Sequence, residues 1–243
     1  MGKPLKVLAR HLLYRGKPNL QSLDDPYPTI AKLLRDIDIK HIVDAGASDG
    51  RIAKRFGKRF TTAQLHMFEP NPDYAPALAE LHAEQPRYHH YPVVLSDTPG
   101  EKTFYVTADP GSSSLYQTND AMKKAYPEQA AHKAQMTVPA TTLDQWADDN
   151  NIDGVQFIKM DIQGGEADMM RGASRLLDES VVAIYTEVFF QNFYEGGATY
   201  SDIDLVLREH GFGLYSLYKP RHDENERVLF ADAVFVNPKR LGW

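Results

Sequence analysis

The sequence predicts an α/β fold, a doubly wound and mostly parallel sheet closed by an antiparallel hairpin at its C-terminal end. Short apolar runs alternate with helical segments from residue 40 onward, and this alternation is typical of a parallel sheet layered between helices. Each of the first five strand candidates also ends in a carboxylate. Hydrophobic residues make up 42% and charged residues 25% of the 243 residues, which is ordinary for a globular protein.

The predicted elements follow one another in a regular order. The strand candidates are 40–45, 64–69, 90–97, 155–161 and 181–187. Helical segments fit between several of these strands, at 50–58, 73–84, 142–149 and 166–177. An extra strand is predicted at 103–107, and a polar insertion over 108–136 contains a predicted helix near 119–134. The chain closes with two β-like segments that form an antiparallel pair, 212–218 and 227–236.

The domain boundaries are predicted from a change in charge near the beginning of the chain. Residues 1–18 carry five Lys or Arg side chains, no acidic ones, and leucines at helical spacing, which predicts a basic helix. We expect a helical extension over 1–35 and one domain over 36–243, with the insertion at 108–136 as a candidate substrate lid. Packing of the basic helix on the domain is favoured, and contact with a membrane surface is the alternative.

Composition excludes several classes of protein. With 27 Lys and Arg against 33 Asp and Glu, the formal net charge is −6, which argues against a nucleic-acid partner. There is no cysteine, so disulfides, zinc–thiolate sites and thiol nucleophiles are excluded. No apolar run approaches the roughly 20 residues that span a bilayer, and no secretory segment opens the sequence. We therefore expect a cytoplasmic protein.

Carboxylates mark the ends of the predicted strands. They are Asp44, Glu69, Asp97, Asp161 and Glu187. Because the ligand of an open α/β sheet lies beyond the carboxyl ends of the strands, these five acids predict a negatively charged cleft. Asp also favours turns and helix caps, which explains one or two of the five but not the two glutamates. A functional role for the set is therefore favoured.

The loop after the first strand reads VDAGASDG over 43–50. A dinucleotide-binding loop would need glycine where Ser48 stands, because the backbone must approach a pyrophosphate closely, and the acids that bracket the loop repel a pyrophosphate. A cationic nucleoside without phosphate fits better, and S-adenosylmethionine (SAM) is such a ligand. Its carboxylate would meet free backbone N–H groups of the loop, while Asp44 would face its ammonium. The loop residues assigned to this cofactor are Asp44, Gly46, Ala47, Ser48, Asp49 and Gly50.

Four further positions extend the predicted cofactor site. Glu69 ends the next strand, where a carboxylate can accept hydrogen bonds from both ribose hydroxyls; by itself it does not distinguish SAM from NAD. Asn71 follows closely and is as well explained by a turn. Ser96 and Asp97, at the third strand end, would bond the adenine amino group, and an Asx turn is the alternative.

Four stretches carry the clearest motifs: VDAGASDG at 43–50, FEPNP at 68–72, VPATTLDQW at 138–146 and FIKMDIQGGE at 157–166. Together they resemble the FkbM-type family of SAM-dependent methyltransferases, and the last two are the more specific. The resemblance covers roughly residues 40–190 and implies the class I Rossmann-like fold with a seven-stranded sheet. It also implies SAM as cofactor, S-adenosylhomocysteine (SAH) as product, and a hydroxyl acceptor, often on a sugar or a polyketide-like product. Gln163 stands where many relatives have Glu, so it is given no acid–base role.

Methyl transfer to a hydroxyl requires positioning of both reactants and removal of a proton. Asp161 and Glu187 are the best-placed carboxylates for this chemistry. We expect Glu187 to be the base and Asp161 to orient SAM and substrate, with the reverse assignment as the alternative. Lys159 is expected to pair with Asp161, because alternate residues of a strand share a face. Glu166, at a helix start, is expected to be a capping acid.

Acceptor contacts are predicted in two segments. Phe190 and Tyr194 belong to an aromatic stretch that suits the apolar face of a sugar ring, and a packed loop is the alternative. Ser113 and Tyr116 lie in the insertion. No His/Glu pair has a recognised metal-binding spacing, so no metal is assigned; a divalent ion held by Asp161 and Glu187 is the alternative.

The main functional hypothesis is a SAM-dependent O-methyltransferase that acts on a sugar or glycan hydroxyl. One alternative changes the acceptor to a small metabolite or an amine. A second alternative, from another class, is a SAM-binding protein without turnover. An NAD-dependent dehydrogenase is disfavoured by Ser48 and by the acids that bracket its loop.

Overall fold

The computed structural model describes residues 23–243. The predicted basic helix over 1–18, and with it most of the predicted extension over 1–35, lies outside the described residues. Among the residues that are described, no helix is both long enough and apolar enough to cross a membrane.

Two sheets form the centre of the described region. The strands are β1 (His41–Ala45), β2 (Gln64–Phe68), β3 (Tyr88–Tyr91), β4 (Val94–Leu95), β5 (Gly100–Thr107), β6 (His132–Thr141), β7 (Phe157–Met160), β8 (Ala183–Phe189), β9 (Gly213–His222) and β10 (Val228–Val236). Within residues 23–243 the main sheet has seven strands in the order β3-β2-β1-β7-β8-β10-β9. Its first five strands pair in parallel, whereas β10 pairs antiparallel with both β8 and β9. The predicted α/β sheet with its closing hairpin is confirmed.

Helices cover both faces of the main sheet. They are α1 (Tyr27–Leu33), α2 (Arg51–Arg59), α3 (Ala75–Glu84), α4 (Asp120–Ala125), α5 (Pro127–Ala130), α6 (Leu143–Asp149), α7 (Glu166–Arg171), α8 (Ser174–Glu179) and α9 (Tyr200–Glu209). One buried cluster holds Ile30, Phe56 and Leu78, from α1, α2 and α3. A second cluster holds residues of α6 to α9, including Trp146 and Leu207. Burial of the strands on both faces explains why they read as continuous apolar runs.

Helix α1 is the described part of the predicted N-terminal extension. Ile30 and Leu34 are each only 1% exposed, and both belong to the same buried cluster as Phe56 and Phe157. The described end of the extension is therefore packed on the domain through apolar side chains.

The smaller sheet differs from the prediction. Its strand order is β4-β6-β5, and β5 pairs antiparallel with β6 over most of its length. The helix predicted near 119–134 is wrong at its C-terminal end, because the chain is already part of β6 from His132 onward. The strand predicted at 90–97 is split, since β4 pairs with β6 rather than with the main sheet. Strand preference depends on cross-strand neighbours, and those neighbours are distant in sequence.

Three histidines stack across β1, β2 and β3. His66 lies between His41 and His89, with ring centroids 5.2 Å from each. It is 4% exposed, and Trp146 packs edge-on against it at 4.7 Å. Burial, together with the charges that the neighbouring imidazoles can carry, lowers the pKa of His66 from 6.5 to about 3. The folded protein therefore holds this ring in its neutral form.

We expect His66 to make the protein sensitive to acid. Because its pKa is lower in the folded state, the unfolded state takes up the proton first, so the free energy of unfolding falls as the pH drops below about 6.5, by up to about 1.4 kcal/mol per unit. In His66→Phe the loss between pH 6.5 and pH 5 should be smaller by roughly 2 kcal/mol. Urea unfolding at the two pH values measures it, with exposed His222→Phe as the control. Equal losses in His66→Phe and the wild type would contradict the interpretation.

Candidate functional site

The two halves of the main sheet meet between β1 and β7. From β1 the chain continues outward through β2 and β3, whereas β7 and β8 lie on the other side, and ligands of open α/β sheets bind where the strand order reverses in this way. A cavity lined by residues of the loops after β1, β2 and β7 lies beyond the carboxyl ends of these strands. We refer to it as the switch-point cavity.

The switch-point cavity brings together part of the predicted site. The predicted residues that line it are Gly46, Ser48, Glu69, Ser113 and Asp161. Apolar residues of its lining that the sequence did not single out include Val94, Leu95 and Phe104. They come from the smaller sheet, so only its pairing places them at this cavity.

Gly46 lies where the loops after β1 and β7 touch. Its φ is +71°, which favours glycine. A Cβ at this position would lie 2.0 Å from the backbone oxygen of Asp161. The absence of a side chain therefore allows the two loops to approach each other at the inner end of the cavity.

Glu69 anchors the loop after β1. Its Oε2 accepts the Ser48 N–H at 3.0 Å and its Oε1 accepts the Asn71 N–H at 2.9 Å. Each carboxylate oxygen has a second lone pair, so Glu69 can still accept hydroxyl donors from a ligand. Burial raises the pKa of Glu69 and the two backbone N–H groups oppose that shift. The backbone of Ser48 is left-handed, at φ +48°, which places its N–H against the carboxylate.

The prediction for Asp44 is wrong. Its side chain is 1% exposed and its Oδ1 lies 2.9 Å from Lys159 Nζ, so it does not face a ligand. Asp44 and Lys159 are direct partners in the β1–β7 register, which is why Lys159 pairs with Asp44 rather than with Asp161 as expected. Burial lowers the pKa of Lys159, whereas the carboxylates of Asp44 and Asp161 raise it. The carboxylates outweigh burial, so the net shift of the pKa is upward.

Contrary to expectation, the N–H groups of Gly46, Ala47 and Gly50 in the first loop are not free. Those of Gly46 and Ala47 donate to the Phe68 carbonyl at 3.0 and 3.2 Å, and that of Gly50 donates to the Ala47 carbonyl at 2.9 Å. Asp49 accepts the backbone and side-chain N–H groups of Arg51, each at 3.1 Å. Ala47, Asp49 and Gly50 therefore shape the entry into α2 and lie outside the lining of the cavity.

The side chains predicted to bind adenine at the third strand end contact their own neighbours. Asp97 accepts from the Ser96 hydroxyl at 3.1 Å and from Lys102 Nζ at 3.2 Å. Asn71 acts as a turn residue, because its Oδ1 accepts the Asp73 N–H at 3.0 Å. The turn alternative is therefore supported for Asn71, whereas Asp97 forms side-chain contacts and no Asx turn.

Gln163 holds the two candidate catalytic carboxylates together. Its Nε2 donates to Asp161 Oδ1 at 2.6 Å and to Glu187 Oε2 at 2.9 Å. Its Oε1 accepts from the Tyr194 hydroxyl at 2.6 Å, and this network fixes the orientation of the amide. Gln163 also has a strained backbone, at φ +58°. No local sequence signal reveals this role, since Glu187 and Tyr194 are 24 and 31 positions away.

The surroundings of Glu187 favour its neutral form. Burial raises its pKa well above the ordinary value, the charges of Asp161, Glu166 and Asp232 raise it further, and the hydrogen bond from Gln163 opposes them. A carboxylate with a raised pKa is a stronger proton acceptor once it is ionised. Glu187 therefore has the electrostatic setting of a general base.

Glu166 holds the loop after β7 and does not cap the helix that it begins, since no side-chain cap hydrogen bond is present there. It is 0% exposed, and its two oxygens accept the N–H groups of Ile162 and Gly164 at 3.0 and 2.9 Å. Burial raises the pKa of Glu166 to about 7, and these backbone hydrogen bonds oppose the shift. The side chain supports the loop that carries Asp161 and Gln163.

Three of the predicted acceptor residues lie outside the switch-point cavity. Tyr194 is 1% exposed and its hydroxyl donates to Gln163. The predicted direct contact of Tyr194 with the acceptor is therefore wrong, and Tyr194 instead holds Gln163 in place. The Tyr116 hydroxyl donates to Asp168. Phe190 is 36% exposed and stacks on Tyr200 with ring centroids 5.3 Å apart. Ser113 alone of the predicted acceptor residues reaches the cavity.

The described residues contain no group of three or more His, Asp or Glu side chains arranged to hold a metal ion. Asp161 and Glu187 each accept a hydrogen bond from Gln163, so the amide occupies the place between them.

The strand order, the switch-point cavity and the carboxylates of its loops define a Rossmann-like α/β protein of the class I methyltransferase type. A family model for the methyltransferase FkbM domain matches residues 44–214, more than two thirds of the sequence. The chain therefore belongs to the FkbM methyltransferase domain family.

Known proteins that are similar to this chain include a curated relative and a crystal structure. The 2-O-methyltransferase NoeI of Sinorhizobium fredii (strain NBRC 101917 / NGR234) is 28% identical over 160 residues, which are 64% of this chain and 65% of NoeI. The crystal structure of methyltransferase FkbM from Methylobacillus flagellatus KT superposes with a TM-score of 0.51 at 18% identity, covering 88% of this chain and 48% of that one. At this identity the structural likeness shows the fold alone. The chain thus spans about two thirds of the curated relative and about half of the crystallised one.

Proposed function

We propose that this protein is a SAM-dependent O-methyltransferase that transfers a methyl group to a hydroxyl of a sugar, a glycan or a related natural product. The observation that carries the proposal is the carboxylate pair of Asp161 and Glu187, which Gln163 bridges beside the switch-point cavity that Asp161 lines. The family membership supports the reaction class, and the similarity to the 2-O-methyltransferase NoeI supports an oxygen acceptor.

The residues of the switch-point cavity fit SAM. Among residues 23–243 its lining includes the carboxylates of Glu69 and Asp161 and no Lys or Arg side chain, which suits a cation better than a pyrophosphate. Glu69 would accept the ribose hydroxyls, the apolar side chains of Val94 and Phe104 would contact the adenine, and Asp161 would face the positively charged methionine part. The close approach of the two loops at Gly46 leaves no room for a further side chain.

The insertion over 108–136 fits the role of a lid. Four of its residues line the switch-point cavity, namely Pro110, Gly111, Ser113 and Leu115. The Ser114 hydroxyl donates to the Gln163 carbonyl at 2.7 Å, which connects the insertion to the loop that carries Asp161. Closure of such a segment excludes water from the reaction.

In the proposed mechanism Glu187 accepts the proton of the acceptor hydroxyl. When bound, SAM supplies an electrophilic methyl group, so that a new C–O bond forms as the bond to sulfur breaks and sulfur keeps the electron pair. Gln163 keeps Glu187 and Asp161 at a fixed separation despite their mutual repulsion. Much of the rate enhancement in such a reaction comes from this positioning.

The proposal is tested by incubating the full chain with SAM that carries a labelled methyl group and a panel of methyl glycosides and simple amines. We expect label on at least one glycoside oxygen, with one SAH released per transfer. Calorimetry should show binding of SAH and not of NAD. Binding of NAD in place of SAH, transfer to amines alone, or SAH binding without any transfer would each contradict the proposal.

Replacing Glu69 by Gln is expected to weaken SAH binding about tenfold to hundredfold. Hydrogen bonds to a charged group contribute about 1.5–3 kcal/mol, and the new amide N–H would oppose one of the backbone N–H groups that Glu69 now accepts. Calorimetric titration with SAH measures the change, and exposed Glu80→Gln is the matched control. An unchanged dissociation constant for Glu69→Gln would remove Glu69 from the cofactor site.

A further inference from the structure

We propose that the acceptor binds in a second cavity, on the other side of Asp161 from the switch-point cavity, and that it is a neutral sugar ring. The inference rests on the proposed function. We call this second cavity the polar cleft; beside Asp161, its walls include Tyr27, Lys159, Tyr185, Glu187, Lys219 and Asp232. The acceptor segments expected from the sequence contribute none of these walls.

The two cavities meet at one residue. Asp161 lines both of them, whereas Glu187 lines only the polar cleft. A hydroxyl in the polar cleft therefore lies beside the candidate base, with the cofactor site across Asp161.

The charges of the polar cleft favour a neutral ligand rich in hydroxyls. Both of its lysines are paired, Lys159 with Asp44 at 2.9 Å and Lys219 with Asp232 at 2.7 Å. An anionic acceptor would therefore have to compete with a carboxylate that is already in place. The carboxylates of Glu187 and Asp232 accept hydrogen bonds, which is what several neighbouring hydroxyls supply.

Lys219 is held in the polar cleft at a cost in backbone strain. It has φ +46°, and its N–H donates to the Leu23 carbonyl at 2.7 Å. The β9–β10 register slips beside it, because Phe230 pairs with Arg221 while Asp232 pairs with Tyr218. Bulges of this kind re-aim a side chain and recur beside active sites, and strained residues cluster there.

The walls of the polar cleft also include aromatic rings and a hydroxyl group. The rings of Tyr27 and Tyr185 meet edge-on, with centroids 6.0 Å apart, and the Tyr185 hydroxyl donates to Asp232 Oδ2 at 2.7 Å. Lys219 and Asp232 keep 39% and 20% of their side-chain surfaces exposed, so the cleft is open to solvent. A few fixed polar groups against an apolar wall are typical of small-molecule sites.

The experiment uses the full chain saturated with SAH and a panel of methyl glycosides of neutral hexoses, 6-deoxyhexoses and pentoses, with methyl glycosides of uronic acids beside them. Saturation-transfer NMR measures their binding. We expect at least one neutral glycoside to bind, and its dissociation constant to rise at least tenfold in Lys219→Met and in Tyr185→Phe. SAH affinity should change less than twofold in both variants, which also shows that they fold. The controls are Lys239→Met and Tyr215→Phe, at exposed positions.

The outcomes separate this inference from the proposed function. Glycoside binding that both cleft variants leave unchanged, or no glycoside binding at all, overturns the assignment of the polar cleft. Tighter binding of a uronic acid than of its neutral counterpart overturns the neutral class. Glycoside binding that depends on Lys219 and Tyr185, in a wild-type protein that transfers no methyl group, supports the sugar site and contradicts the proposed function instead.

Discussion

Replacing Glu187 by Gln is expected to lower kcat by about 10²–10⁴-fold, the usual contribution of a general base. The substitution keeps the size of the side chain and an oxygen that can accept from Gln163 Nε2, which now lies 2.9 Å from Glu187. It removes the group that takes up the acceptor proton. SAH affinity should stay within about threefold, because Glu187 does not line the switch-point cavity. Initial rates of methyl transfer and calorimetry with SAH measure the two quantities.

The pH dependence of kcat is a second test of Glu187 as the base. Glu187 acts as a base only when it is ionised, so kcat of the wild type should rise with pH through the raised pKa of Glu187 and level off above it. Glu187→Gln should lack this limb, while exposed Glu195→Gln should retain both the limb and the rate. A near wild-type rate in Glu187→Gln would show that Glu187 is not the base.

Replacing Gly46 by Ala is expected to weaken SAH binding at least a hundredfold and to lower stability by roughly 2–4 kcal/mol. The new Cβ would lie 2.0 Å from the Asp161 carbonyl oxygen, where observed Cβ contacts do not fall below 3.0 Å. One of the two loops must therefore move by about 1 Å, and a misplacement of this size costs about 10²-fold in a positioned reaction. The left-handed backbone of Gly46 adds strain.

Thermal unfolding and calorimetry with SAH measure both effects of Gly46→Ala. Gly213→Ala is the control, because a Cβ at Gly213 meets nothing within 4 Å and its backbone is not left-handed. Wild-type affinity and stability in Gly46→Ala would show that the contact between the loops after β1 and β7 is not required.

The carboxylates at the strand ends show which features of the site can be predicted from the positions of residues in the sequence. Their positions along the sequence correctly indicated an acidic sheet edge, and Glu69 and Asp161 do line the switch-point cavity. Asp44 does not, because its β1–β7 partner is Lys159 and the two neutralise each other in the interior. Asp97 is turned toward Lys102. Sequence spacing gives the edge on which a side chain falls, but the strand register decides its partner.

The smaller sheet shows the corresponding limit for the fold. The central strands β1, β7 and β8 could be predicted because they are almost wholly buried and therefore read as short apolar runs. β6 could not, because its pairing with β5 spans an insertion whose local pattern is helical, and α4 and α5 do occupy part of it. The apolar wall of Val94, Leu95 and Phe104 depends on that pairing.

From its sequence alone this chain is an α/β protein with a parallel sheet, a glycine-containing first loop and an acidic edge, because apolar periodicity and turn chemistry are local properties. The tertiary structure alone decides that Gln163 bridges Asp161 and Glu187, and that Lys219, Asp232 and Tyr185 form the polar cleft. These contacts join residues from different strands. Hydrogen bonds and ion pairs act over a few ångströms, so they depend on which strands are neighbours and not on spacing along the chain.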